Sequence, residues 1–130
     1  DEIVALPPTE IIPKSGTFFD YEAKYVKGGS DEITPAQMDV AVIAQIQNVA
    51  LRAHKAIGCA GMSRTDMIVR YGDGVGDNGQ MPEVFYLETN TIPGMTETSL
   101  LPQAARAAGI EFPNLIERII SAALRTREIH

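Results

Sequence analysis

Residues Glu88 to Leu100 read ETNTIPGMTETSL, and this stretch decides the fold. It starts in β-prone sequence, turns at Pro93-Gly94, and runs through small polar residues to Ser99, where a helix can start. Immediately upstream, Glu83 to Asn90 reads as a strand, and Met62 to Tyr71 reads as another. Gly72 to Pro82 (GDGVGDNGQMP) is a turn-rich connector, so the two strands are expected to pair as an antiparallel hairpin with a long loop. Downstream, Ser99 is placed to cap a short helix through Ala108 that Gly109 ends. Pro113 opens a last helix, with Leu115, Ile116, Ile119, Ile120, Ala123 and Leu124 on one face.

Farther upstream the chain predicts one more helix. Thr34 is the expected N-cap, Pro35 the first helical residue and Gln37 the partner in a capping box. Met38, Val42, Ile46, Val49, Ala50, Ala53 and Ile57 recur at spacings of three and four, and Gly58 stops the helix. Asp39, Gln45, Arg52 and Lys55 fall on the expected exposed face. Ile3 to Leu6 and Glu10 to Ile12 are short β-prone runs around Pro7-Pro8. Ser15 to Glu32 has no sustained period and is read as a long loop, of the kind that in compact domains is functional or disordered.

Side chains two apart on a strand share a face. Arg64 and Asp66 therefore point one way, and so do Glu88 and Asn90. If the strands pair, two carboxylates, an amide oxygen and a guanidinium converge on one surface. Oxygen donors of this kind suit Mg²⁺, which takes one or two carboxylates and completes its shell with water and phosphate. On spacing alone the simpler reading is a solvated sheet face carrying an Arg–Asp pair, because E-x-N is a weak signal by itself.

Composition bounds the alternatives. The chain has 130 residues, which argues for one domain, and is 45% hydrophobic and 22% charged, as globular chains are. The single cysteine, Cys59, excludes an internal disulfide and fits a reducing, cytoplasmic setting. A net charge of −6 argues against nucleic-acid binding, and a phosphate ligand here needs metal ions or local cations. No apolar run approaches the roughly 20 residues that a bilayer requires, so no membrane association is expected. Asp1-Glu2-Ile3-Val4 lacks Met and any signal core and reads as a cut into a longer chain. Gly72, Gly74 and Gly76 suggest a phosphate loop, but no helix follows them. Asp73, Asp77 and Asn78 miss the spacing of a calcium loop. His54 and Cys59 are read as an ordinary helix residue and a structural thiol.

Three motifs in order change the weight of the strand face. Glu88 to Leu100 closely resembles the signature E-(V/I)-N-T-x-P-G-(M/F)-T, followed by small polar residues and Ser, of the D-alanine–D-alanine ligases, members of the ATP-grasp superfamily. Ser63-Arg64-Thr65-Asp66 resembles that family's (S/A)-R-V-D strand, with Thr65 where Val is usual and Met67 where Phe is usual. Phe19 to Tyr25 (FDYEAKY) resembles its Y-D-Y-x-A-K-Y loop, and Leu6-Pro7 and Glu10-Ile11 match the strand entry before it. The connector Gly72 to Pro82 is longer than the family's usual one.

The resemblance implies an α+β fold: the C-terminal part of an ATP-grasp domain, mostly antiparallel sheet with helices on one face. It implies ATP and two Mg²⁺ (or Mn²⁺) ions as cofactors, with Asp66, Glu88 and Asn90 as metal ligands. Arg64 and the N–H of Gly94 would stabilise the oxyanion of a tetrahedral intermediate. Ser99 and the N–H of Leu100 would bind the carboxylate of the second D-alanine. Lys24 would contact the γ-phosphate, Tyr25 would join the polar network at the substrate end, and Leu87 would line the adenine pocket. The implied activity is ligation of two D-alanines through an acyl phosphate, for cell-wall peptidoglycan, in a cytoplasmic enzyme that is usually a homodimer. The family's N-terminal domain and central ATP-grasp subdomain have no counterpart in residues 1–130, so the isolated chain is expected to be inactive. Rival readings are a sister D-lactate or D-serine ligase, or a noncatalytic nucleotide- or partner-binding fragment.

Overall fold

The structure is a computed structural model and describes residues 2–14, 30–72 and 80–127. In chain order the elements are β1 (Glu10–Pro13), β2 (Ser30–Ile33), α1 (Val40–Ile57), β3 (Arg64–Arg70), β4 (Glu83–Asn90), α2 (Leu100–Ala107) and α3 (Phe112–Arg127). The strands form two separate antiparallel pairs, β1 with β2 and β3 with β4, so the fold is α+β as expected. The expected hairpin is present: β3 runs from Arg64 opposite Asn90 to Arg70 opposite Glu83. At its turn end Arg70 pairs with Glu83 and lies over the Phe85 ring, 5.5 Å from the centroid. Both contacts are exposed, so each contributes at most about 1 kcal/mol.

The ladder is interrupted once. Asp66 faces Glu88 but Met67 faces Tyr86, so Leu87 is an extra, unopposed residue on β4. This is a β-bulge, which bends and twists the strand. It also resets the parity of β4. On the turn side of the bulge, half-buried Val84 opposes Val69, while exposed Phe85 opposes Ile68. A regular strand would put Glu88 and Asn90 on the face of Val84 and Tyr86. The extra residue moves them to the face of Ile68 and Phe85.

Helix α1 begins at Val40, six residues after the expected cap, with Asp39 at the N-cap position and no side-chain cap bond. The polar groups that a cap at Thr34 would need are already engaged. Thr34 Oγ1 lies 2.6 Å from Thr9 Oγ1, and the Ala36 N–H donates to the Pro8 carbonyl at 2.8 Å. These bonds hold residues 34–36 against the chain entering β1. The C-terminus is as expected: Gly58 adopts φ +73°, and the Gly58 and Cys59 N–H groups close onto the Lys55 and His54 carbonyls.

Two further expectations are corrected. Ile3 to Leu6 forms no strand, because Ala5 and Leu6 present their carbonyls to the Gln47 side-chain amide on α1, at 3.2 Å each. Ser30 to Glu32, read as loop, is strand β2, paired with β1 and pinned by the Lys14–Asp31 ion pair at 3.1 Å. A polar strand of four residues carries no periodic signal; its partner makes it a strand.

The core is small. Val42 and Ile46 of α1, Ala104 and Ala105 of α2 and Leu115 of α3 are buried. The α1 stripe ends on His54, which is 8% exposed, while Ile57 is 53% exposed. The His54 ring Nδ1 lies 2.7 Å from Ser63 Oγ and so ties the last turn of α1 to the residue before β3. On α3 only the first part of the expected apolar face is covered. Ile116 and Ile119 are half-buried, but Ile120, Ala123 and Leu124 are exposed. The cause is length: α2 has 8 residues and α3 has 16. At about 1.5 Å per residue, α2 can lie along only half of its neighbour. No helix among the described residues is long and apolar enough to cross a membrane.

Two outcomes test this architecture. Val42→Ala should lower the unfolding free energy by about 2 kcal/mol in urea titration, as loss of buried methyl groups with partial collapse does; an unchanged midpoint would remove Val42 from the core. Deletion of Leu87 should leave both parts of the register intact, because Tyr86 and Glu88 then become neighbours opposite Met67 and Asp66. Cross-strand NOEs for both pairs should persist, and their loss would show that Leu87 does not sit outside the ladder.

Candidate active site

The register brings Arg64, Asp66, Glu88 and Asn90 to one face at the end of the hairpin away from its turn. Arg64 grips Asp66 in a bidentate fork, Nε to Oδ1 at 2.8 Å and Nη2 to Oδ2 at 3.1 Å. Both side chains are a little under a third exposed, so the pair is partly shielded from water. Each Asp66 oxygen keeps a lone pair for another ligand. The second terminal nitrogen of Arg64, Nη1, makes no bond among the described residues. Glu88 is exposed opposite Asp66 and makes no hydrogen bond or ion pair to another side chain among the described residues. Asn90 Oδ1 accepts the Ile92 N–H at 2.9 Å, an Asx turn that starts the loop toward Gly94.

That loop forms the second part of the site. Pro93 is buried, and Gly94 follows it against Ser99. A Cβ on Gly94 would lie 2.9 Å from Ser99 Oγ, so the position needs glycine for space. Ser99 occupies the N-cap position of α2 with extended backbone (φ −71°, ψ 157°), yet its side chain makes no cap bond. A capping serine accepts the N–H of the second or third helical residue. Here the third residue is Pro102, which has no N–H. The Ser99 hydroxyl turns back instead, 3.1 Å from the Thr96 N–H and 2.6 Å from Thr96 Oγ1. Gln103, on the first turn of α2, donates its side-chain N–H to Glu32 of β2 at 2.9 Å and to the Thr98 carbonyl at 2.5 Å. The β1–β2 pair is thereby linked to the glycine turn. An open cleft of about 360 Å³ lies beside this link, lined by Thr34, Glu97, Thr98, Gln103, Arg106 and Ala107.

The structure therefore gathers Arg64, Asp66, Glu88 and Asn90 in one group and Gly94, Ser99 and Leu100 in another, with the Asn90 turn leading from the first to the second. Leu87 is the bulge residue beside Glu88 and is 53% exposed. Lys24 and Tyr25 lie outside the described residues. Among the described residues no group of three or more His, Cys, Asp or Glu side chains could hold a metal. A cation here would rest on two carboxylates and an amide oxygen, with the remaining ligands drawn from water or phosphate. That donor set fits Mg²⁺. Sequence reading missed Thr96 and Gln103, which act through neighbours that only the folded turn supplies. It also passed over the His54–Ser63 bond, whose partners are nine residues apart.

Residues 1–121 match the family described as D-ala D-ala ligase C-terminus. A D-alanine--D-alanine ligase of Syntrophobacter fumaroxidans is 51% identical over 125 residues, which cover 95% of this chain and 37% of the relative. The crystal structure of D-alanine--D-alanine ligase from Bacillus anthracis complexed with ATP superposes with a TM-score of 0.63 at 34% identity, over 77% of this chain and 31% of that one. The VanG D-Ala:D-Ser ligase from Enterococcus faecalis superposes with a TM-score of 0.64 at 33% identity, over 88% of this chain and 30% of that one. The chain thus spans about a third of the length of the relatives it matches. With the family's pattern matched over 121 of its residues, and its hairpin face and glycine turn in place, the chain belongs to the D-ala D-ala ligase C-terminus family.

Proposed function

We propose that this chain supplies the metal, oxyanion and second-substrate groups of an ATP-dependent D-alanine–D-alanine ligase. The observation that carries the reading is the convergence of Arg64, Asp66, Glu88 and Asn90 on one face across a bulged register. Residues 1–130 form the C-terminal portion of an ATP-grasp catalytic domain. The N-terminal domain and the central subdomain, which complete the nucleotide cleft, are contributed by sequence outside these residues.

Each group has a task that its chemistry suits. Asp66, Glu88 and Asn90 hold two Mg²⁺ (or Mn²⁺) ions. When bound, such ions neutralise charge on a transferring phosphoryl group. Arg64, oriented by its fork to Asp66, directs its remaining N–H groups at the oxyanion that forms when the second amine attacks the activated carboxyl carbon. The Gly94 N–H is the second donor, and preorganised donors of this kind supply much of the rate in acyl transfer. Ser99 Oγ and the Leu100 N–H hold the carboxylate of the second D-alanine at the start of α2. Leu87, displayed by the bulge, lines the adenine site. Lys24 contacts the γ-phosphate and Tyr25 the substrate end, both outside the described residues. The product, D-alanyl-D-alanine, serves peptidoglycan synthesis in the cytoplasm, and two copies of the full-length enzyme pair through parts upstream.

The likeness to the E. faecalis D-Ala:D-Ser ligase favours one second reading, in which D-serine or D-lactate replaces the second D-alanine. Initial rates with each acceptor separate the two.

The test is D-alanine-dependent phosphate release from ATP. The 130-residue chain alone should show none. A chimera in which it replaces the matching third of the S. fumaroxidans relative should turn over. In that chimera Arg64→Ala should cut kcat by roughly 10²- to 10³-fold, the usual cost of an oxyanion donor. Glu88→Gln should raise the Mg²⁺ concentration for half-maximal rate by at least about 10-fold. An Arg64→Ala chimera with unchanged kcat would sink the assignment.

A further inference from the structure

We propose that Thr96 is a positioning residue: it fixes the Ser99 hydroxyl as a hydrogen-bond donor and so sets how tightly the second substrate's carboxylate is held. The inference rests on the reading of Ser99 given above.

Hydrogen-bond valence fixes where the Ser99 proton points. A serine hydroxyl has one proton to donate and two lone pairs to accept with. The Thr96 backbone N–H, 3.1 Å from Ser99 Oγ, can only donate, so it fills one lone pair. The contact between Thr96 Oγ1 and Ser99 Oγ is 2.6 Å, a short hydroxyl–hydroxyl bond whose proton can belong to either oxygen. A carboxylate on Ser99 resolves the choice. It accepts only, so the Ser99 proton must point to it, and Thr96 must then donate its own proton at the 2.6 Å contact. Both lone pairs of Ser99 are now filled by a single residue, and its O–H is left facing the anion. Thr98 Oγ1, 3.4 Å from Thr96 Oγ1, extends the same direction of donation. A hydroxyl that accepts while it donates is the stronger donor.

Neighbouring groups leave Ser99 few other uses. Helix capping through the third helical residue is closed to it because Pro102 lacks an N–H. The hydroxyl already lies beside Gly94, in space that a Cβ on that glycine would invade at 2.9 Å, so the glycine keeps the room that the hydroxyl occupies. The Ser99 N–H also bonds the Thr96 carbonyl at 2.9 Å, so the two residues close on each other through backbone and side chain. Thr96 itself is exposed, and its side chain has no role in the core.

The experiment uses the full-length chimera with Thr96→Val, Thr96→Ser, Ser99→Ala and the Thr96→Val/Ser99→Ala double variant. It measures KM for each D-alanine, kcat and melting temperature. Loss of one hydrogen bond should raise the KM for the second D-alanine by roughly 3- to 10-fold in Thr96→Val, with kcat, the KM for the first D-alanine and the melting temperature little changed. Thr96→Ser should restore the wild-type value. In the Ser99→Ala background, Thr96→Val should have no further effect. If Ser99→Ala raises that KM and Thr96→Val does not, the proposal is overturned while the carboxylate reading stands. If Thr96→Val has its full effect without Ser99, Thr96 acts on its own and the proposal is again overturned. If neither variant alters the KM, the carboxylate reading fails and the proposal falls with it.

Discussion

A strand has a period of two, and the rest of this site depends on how β4 escapes it. Half-buried Val84, with exposed Tyr86 on the same face, stays on the side of half-buried Met67 and Val69, whereas Glu88 and Asn90 must reach the side of Arg64 and Asp66. All four sit at even positions, so no regular strand can satisfy both demands. One unopposed residue, Leu87, resolves the conflict. The acidic end of the hairpin then faces outward while its other end keeps its apolar side toward the fold. The fork between Arg64 and Asp66 forms on this outward face, and the Asn90 turn leads the chain from it to Gly94.

Much of this was legible in the chain. Met62 to Tyr71 and Glu83 to Asn90 carry β-prone residues bounded by Gly and Pro, and they form β3 and β4 almost as read. Gly109 and Pro113 mark the end of α2 and the start of α3 because turn and breaker chemistry is local, whereas Ser99 stands at the N-cap position of α2 without making the expected cap bond. Gly58 marks the end of α1 for the same reason. What escaped reading was decided by partners distant in sequence. Thr34 looked like a cap but bonds Thr9, 25 residues away. Ser30 to Glu32 looked like loop until β1 was set beside it. Four side chains of the candidate site were visible from period-two spacing, but the bulge was not, because a bulge is a property of two strands and only one carries the extra residue. Thr96 was missed because its partner is fixed by a tight turn rather than by helical or strand spacing.

Among the described residues, polar bonds join the parts at several points. Gln103 joins α2 to β2 through Glu32, Gln47 joins α1 to the chain before β1, and His54 joins α1 to the start of β3 through Ser63. The buried core is modest, and large apolar side chains such as Val40 and Ile92, each 83% exposed, lie uncovered. Geometry at the hairpin face is held chiefly by the β3–β4 ladder and the Arg64–Asp66 fork, both of which are local to it. The candidate site is therefore set by the hairpin's own pairing even where the packing around it is thin.

Pro102 has a consequence for how this segment can change over time. A proline in the third position of α2 removes one of the two N–H groups that Ser99 at the N-cap could have accepted, and α2 starts without the side-chain cap that ordinarily stabilises a helix by about 1 kcal/mol. Replacing that proline would offer Ser99 a competing partner and make the helix sturdier while drawing the hydroxyl away from Thr96. Local robustness and ligand recognition pull in opposite directions at this one residue, so a search for stabilising substitutions would be led toward the change that disarms the turn.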